Sequence, residues 1–202
     1  SPDATVRAAV VRLLREHRLG SVEGFARAGD DPDPAVRRLA VGGLVSLDAV
    51  EPAAGLRSDA DPLVRMAVAK GLAAIGDPSA GWALEELSSD ADLRVRAAAF
   101  ESLSVLGCAP RFVPDAVAAL GDPAWEVRKA AVQALGATVG EVADVVDALL
   151  RAVRDENLDV RKAAVQSLSR WARRRADVHA ALIAAHDDPD ADVRGYARLA
   201  LA

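Results

Sequence analysis

The chain has 202 residues, 51% of them hydrophobic but only 3% aromatic, and a net charge of −5. A core built from Ala, Val and Leu suits closely packed helices, and the length suits one large domain or two small ones. The acidic balance argues against a general nucleic-acid binder, charges interrupt every apolar run before a membrane span is reached, and a lone Cys108 excludes an internal disulfide or a cysteine zinc site.

The first eleven residues, SPDATVRAAVV, lack the basic start and apolar run of a secretory signal. A cytoplasmic location is therefore expected. A helix follows at once, carrying Val6-Arg7, and the same pair returns at Val36-Arg37, Val64-Arg65, Val95-Arg96, Val127-Arg128, Val160-Arg161 and Val193-Arg194. Successive arginines are 30, 28, 31, 32, 33 and 33 residues apart. Four residues after each Val stands a small or branched apolar residue (Val10, Ala40, Val68, Ala99, Ala131, Ala164, Ala197). Eight after it stands Leu: Leu14, Leu44, Leu72, Leu103, Leu135, Leu168 and Leu201. These spacings put the three on one helical stripe, with +3 and +7 beside them.

Asp33, Asp61, Asp92, Asn157 and Asp190 precede Val by three and predict N-caps. Pro34 and Pro62 fit the first helical position. Between these helices AGWALEELSS, EVADVVDALLRAV and DVHAALIAAH predict a second helix per repeat, with turns at Gly76, Gly107, Gly136 and Gly140. Hairpins of about 30 residues cannot bury their stripes alone and must stack into a solenoid.

The strings DPAWEVRKAAVQAL and DENLDVRKAAVQSL follow D-x-x-x-x-V-R-x-x-A-x-x-x-L. On these residues the chain resembles the HEAT family, in particular the short HEAT-like repeats first described in phycobilin lyases. The resemblance spans nearly the whole chain. It implies an all-α, right-handed α-α superhelix of six helical hairpins plus an unpaired first helix. Residues 1–202 are read as a single HEAT-like domain belonging to a longer solenoid or associating end to end.

Features present in every repeat point to architecture. The acids five residues before Val (Asp31, Asp59, Asp90, Asp122, Asp155, Asp188) and the arginines Arg37, Arg65, Arg96, Arg128, Arg161 and Arg194 are expected to form a ladder joining neighbouring repeats; a charged binding surface is the other reading. Positions +2 and +6 face away from the core and would line the concave side. They carry Arg12, Arg38, Lys70, Lys129 and Lys162 against Glu101. That makes a mildly basic inner face, or simply solvated lysines left over where Asp gathers at helix starts.

Trp125, where other repeats have Pro, Leu or Ala, is either a binding hot spot or a packed ridge residue. Trp125, Lys129 and Gln133 rise at intervals of four, and Lys162 and Gln166 take the equivalent positions one repeat on. An aromatic beside ammonium and amide groups suits a peptide carrying carboxylates. Trp171 is read as core and Trp82 as outer-helix packing. Arg170, Arg173, Arg174 and Arg175 are read as a solvated helix end rather than a phosphate patch. His179 and His186, seven apart, are read as surface histidines rather than a metal pair, and Cys108 as a small buried residue.

No phosphate loop, nucleophile elbow or ligand cluster occurs in the sequence. The expected function is thus a non-catalytic protein- or peptide-binding scaffold without cofactor, not a membrane protein, with a protein or acidic peptide as partner. The alternative is an enzyme subunit resembling phycobilin lyases, although few aromatics are present to line a tetrapyrrole groove. A nucleic-acid binder resembling HEAT-like DNA glycosylases fits less well, because the net charge has the wrong sign.

Overall fold

The computed structural model describes residues 2–138 and 143–202. Among the described residues there are thirteen α-helices and no strand. A first helix, α1 (Ala4–Glu16), is followed by six pairs, each a short outer helix and a longer inner one. The pairs are α2 (Val22–Ala28) with α3 (Pro34–Val45), α4 (Val50–Ala54) with α5 (Pro62–Ile75), and α6 (Gly81–Leu87) with α7 (Leu93–Leu106). Next come α8 (Val113–Ala118) with α9 (Trp125–Gly136), α10 (Ala143–Ala152) with α11 (Leu158–Leu168), and α12 (Ala176–Ala184) with α13 (Ala191–Leu201). The chain forms two compact units, Ser1–Ser102 and Leu103–Ala202. In the first, α1, α3 and α5 lie side by side; in the second, α9, α11 and α13 do.

Each inner helix starts for a local reason. Asp33 and Asp61 accept the N–H two residues on at 2.8 and 2.7 Å, with Pro34 and Pro62 at the first helical position. Asp92 accepts from Arg94, and Asn157 and Asp190 each accept two N–H groups. Only α9 among the inner helices of the second unit lacks a side-chain cap, because Ala124 stands at its N-cap. Outer helices are shorter, and three run into 3₁₀ turns at Gly55–Ser58, Ala119–Gly121 and Ala185–Asp187.

Gly76 and Gly107 end their helices at φ +78° and +77°, where a β-carbon would be strained. Gly136 does something other than the turn expected of it: it is the last residue of α9, and a β-carbon there would lie 2.3 Å from Ser167 Oγ and 2.7 Å from Ser167 Cβ. Its role is to let α11 approach α9. Gly140 lies outside the described residues.

The stripe from Val36 onward is the core. Val64, Val95, Val127, Val160 and Val193 are fully buried, as are Ala40, Val68, Ala99, Ala131, Ala164 and Ala197. Leu44, Leu72, Leu135 and Leu168 complete it. Helix α1 departs from the rule: Val6 and Val10 are 48% and 49% exposed, and Val11 is buried instead. Helix α1 packs on α3. No helix among the described residues is long and apolar enough to cross a membrane.

Candidate functional site

Two sets of side chains stand out from the packed stripes: a row of arginines at the loops, and the exposed stripe of the inner helices.

In the row, Arg7, Arg37, Arg65, Arg128 and Arg161 each grip two repeats. Arg37 donates from Nε and Nη2 to the Asp59 carboxylate at 2.6 and 2.8 Å, and from Nη1 to the main-chain oxygens of Asp31 and Pro32. Arg7 binds Asp31, Arg65 binds Asp90, Arg128 binds Asp155 and Arg161 binds Asp188 through the same two-pronged geometry. Arg96 and Arg194 donate Nη1 to the carbonyls of Asp90 and Asp188. Every aspartate of the row, Asp122 included, also accepts the N–H two residues on, so one carboxylate shapes its own loop. Burial pushes the Asp155 carboxyl up, but hydrogen bonds from Arg128 and the Asn157 N–H outweigh it and hold the group below the usual range. Such planar, bidentate pairing fixes geometry as well as charge.

The inner stripe of the second unit carries Trp125, Lys129 and Gln133 on α9, all half-buried, with Lys162 half-buried and Gln166 exposed on α11. The adjoining packing of α9 and α11, closed by Gly136 against Ser167, brings the two rows together. Their electrostatics diverge. Lys162 Nζ lies 2.9 Å from Asp192, 3.7 Å from Asp159 and 4.0 Å from Asp190, and the Asp192 contact raises its pKa. Lys129 has no ion pair among the described residues, and the side chains of Trp125, Gln133 and Gln166 make no hydrogen bond there. The acids around Lys162 escaped the sequence reading because Asp192 lies outside the repeat consensus; the string DADV, with an acid one position after Ala191, was the available signal. In the first unit Arg12, Arg38 and Lys70 are exposed on inner helices, together with Glu101.

Arg170 is exposed, and it also donates to the carbonyls of Gly136 and Thr138 at 2.8 and 2.9 Å and lies 4.0 Å over Trp171. Arg173 donates to the Ala202 carbonyl, and Arg175 binds Asp177. Trp171 is buried, and Trp82 sits on α6 beneath the Arg57 guanidinium at 4.6 Å. His179 lies on α12 but His186 lies in the 3₁₀ turn beyond it, so the two do not share a helix face. Among the described residues no cluster of His, Cys, Asp and Glu could hold a metal ion. Cys108 is buried, and burial pushes its thiol up, the opposite of what a nucleophile needs.

A family model described as HEAT repeats matches residues 25–104 and 110–202. The chain belongs to the HEAT repeat family. None of the curated proteins matches this HEAT repeat sequence. Among solved structures, YibA of Escherichia coli superposes with a TM-score of 0.68 at 23% identity, over 94% of this chain and 72% of that one. A designed armadillo repeat protein in complex with the peptide (KR)4 gives 0.65 at 16% identity, over 90% of this chain and 98% of that one. The complex of CpcE and CpcF of phycocyanin lyase from Nostoc sp. gives 0.57 at 20% identity, over 100% of this chain and 90% of that one. At these identities the likeness is one of fold: a HEAT-like helical repeat scaffold.

Proposed function

We propose that this HEAT repeat chain is a protein-binding scaffold that reads an extended peptide segment on the α9–α11 inner face. The observation that carries the reading is the contrast between the two rows of charge. The loop arginines are engaged in holding repeats together, whereas Trp125, Lys129, Gln133 and Gln166 make no side-chain hydrogen bond or ion pair among the described residues. Half-burial of Trp125, Lys129 and Gln133 limits their rotamers, which lowers the entropic cost of ordering them against a ligand. A half-exposed Trp offers a rigid apolar surface with one N–H donor. The two amides can bond a peptide main chain, and Lys129 selects a carboxylate. Lys162 contributes less, because Asp159, Asp190 and Asp192 already compensate it. The reading accords with the company the fold keeps, since both the designed armadillo protein and CpcE were solved with a polypeptide partner. The (KR)4 peptide is cationic, however, so the charge preference proposed here is the reverse.

The test is fluorescence anisotropy with labelled extended peptides that vary in acidic content. Peptides bearing a carboxylate should bind and release with salt. Trp125→Ala and Lys129→Glu should each weaken them at least about tenfold, or about 1.4 kcal/mol, while Arg38→Glu in the first unit should not. Unchanged binding in Trp125→Ala would remove the site.

A further inference from the structure

An open cleft of about 700 Å³ lies between α10 and α12 in the second unit. Leu150 and Val153 form one wall, and Ala180, Ala181 and Ala184 form the other. Two carboxylates also line it, and both are held within the chain: Asp177 by Arg175 at 2.6 Å, and Asp188 by Arg161 at 2.8 Å. Two further cations, Arg151 and Arg154, line the cleft and are exposed. Neither has an ion pair or side-chain hydrogen bond among the described residues. The cleft is therefore apolar within and cationic at its edge.

One repeat of the first unit shows a way in which such a place is filled. Counting back from the loop aspartates, Trp82 and Glu86 stand eight and four residues before Asp90, and Ala180 and Ala184 stand eight and four before Asp188. In the first unit Arg57, from the preceding outer segment, lies 4.6 Å over the Trp82 ring and pairs with Glu86. An aromatic ring and a carboxylate one helical turn apart thus bridge adjacent outer segments there. On α12 of the second unit alanines occupy both positions, and the space between α10 and α12 stays open.

We propose that this cleft docks an acidic amphipathic helix of a partner protein, which supplies an aromatic side chain and a carboxylate at i and i+4. The ring would fill the space above Ala180 and Ala184 against Leu150 and Val153, and the carboxylate would meet Arg151 and Arg154. The floor of alanines lets a helix approach closely, and the volume lies within the range of ordinary binding clefts, roughly 300–1,000 Å³. Helix-in-groove recognition by anchors one turn apart is a general mode of peptide binding. The site lies on outer helices and stands independently of the α9–α11 reading.

The experiment uses the full chain and fluorescein-labelled helical peptides of about 15 residues carrying Trp-x-x-x-Glu, Trp-x-x-x-Lys or Ala-x-x-x-Glu. The first should bind at least about tenfold more tightly than the other two. Ala180→Trp combined with Ala184→Glu fills the cleft from within and should abolish binding. Arg151→Glu combined with Arg154→Glu changes only exposed side chains and should shift the preference to Trp-x-x-x-Lys, while Trp125→Ala should leave all three affinities unchanged. Equal binding of the Glu and Lys peptides, or undiminished binding by the filled variant, would overturn the proposal. So would binding of anionic phospholipid vesicles, in place of the peptides, that the filled variant loses.

Discussion

At Arg128 one guanidinium satisfies two main-chain carbonyls of its own repeat, the Asp155 carboxylate of the next, and Glu156 beside it. Its side chain is only 8% exposed. Arg128→Ala should therefore cost about 3 kcal/mol, because Asp155 is left half-buried without its cation, read as a lower urea midpoint at unchanged slope. Acid should act on the same row. At Asp31 the hydrogen bonds from Arg7 lower the carboxyl from 3.8 to about 2. A depressed carboxyl adds stability that is full above the unfolded value of about 4 and is lost as pH falls through the folded one. Unfolding free energy should thus fall between pH 4 and 2, and Asp31→Asn should flatten that slope in urea titrations across the window. The pairing partners were legible in the sequence, since Arg and Asp recur at fixed offsets from Val. The second use of each aspartate, closing its own loop through the N–H two residues on, follows no side-chain pattern and appeared only with the backbone.

Among the helices, α9 is the exception whose start the sequence already marked. Ala124 has the extended φ and ψ of a cap, −85° and 121°, but no oxygen to offer. Ala124→Asp should stabilise the chain by about 1 kcal/mol, seen as a raised urea midpoint, since Asp33 holds the same place two residues after its own loop acid. Inner helices were readable because their stripe and caps reinforce each other. Outer helices were harder: α4 has five residues and passes straight into a 3₁₀ turn, too short for a period to register. The electrostatics of α11 were hidden for a different reason. Lys162 looked available from its spacing, but its compensating Asp190 and Asp192 belong to the start of α13, and a contact between repeats cannot be seen along one helix.

For the molecule as a whole, repetition separates what holds it together from what distinguishes one part from another. Val, Ala, Leu, Arg and Asp recur and stack the hairpins, and the two sites proposed above lie where repeats differ: at Trp125, and at Ala180 and Ala184. The fold was therefore the most legible property of this sequence. The cleft was the least, because an alanine in an alanine-rich helix gives no signal until its counterparts Trp82 and Glu86 are seen spanning the equivalent gap.

The arginine row also has a temporal side. The bidentate contacts of Arg7, Arg37, Arg65, Arg128 and Arg161 join residues only 22 to 27 positions apart. Closing loops of that size carries a modest entropic cost that grows slowly with length, and folds dominated by near-neighbour contacts form rapidly. A hairpin emerging from the ribosome can thus clasp its predecessor as soon as one further loop has been synthesised. Assembly can keep pace with translation, and the apolar stripe of each new helix is covered within about one repeat of its appearance.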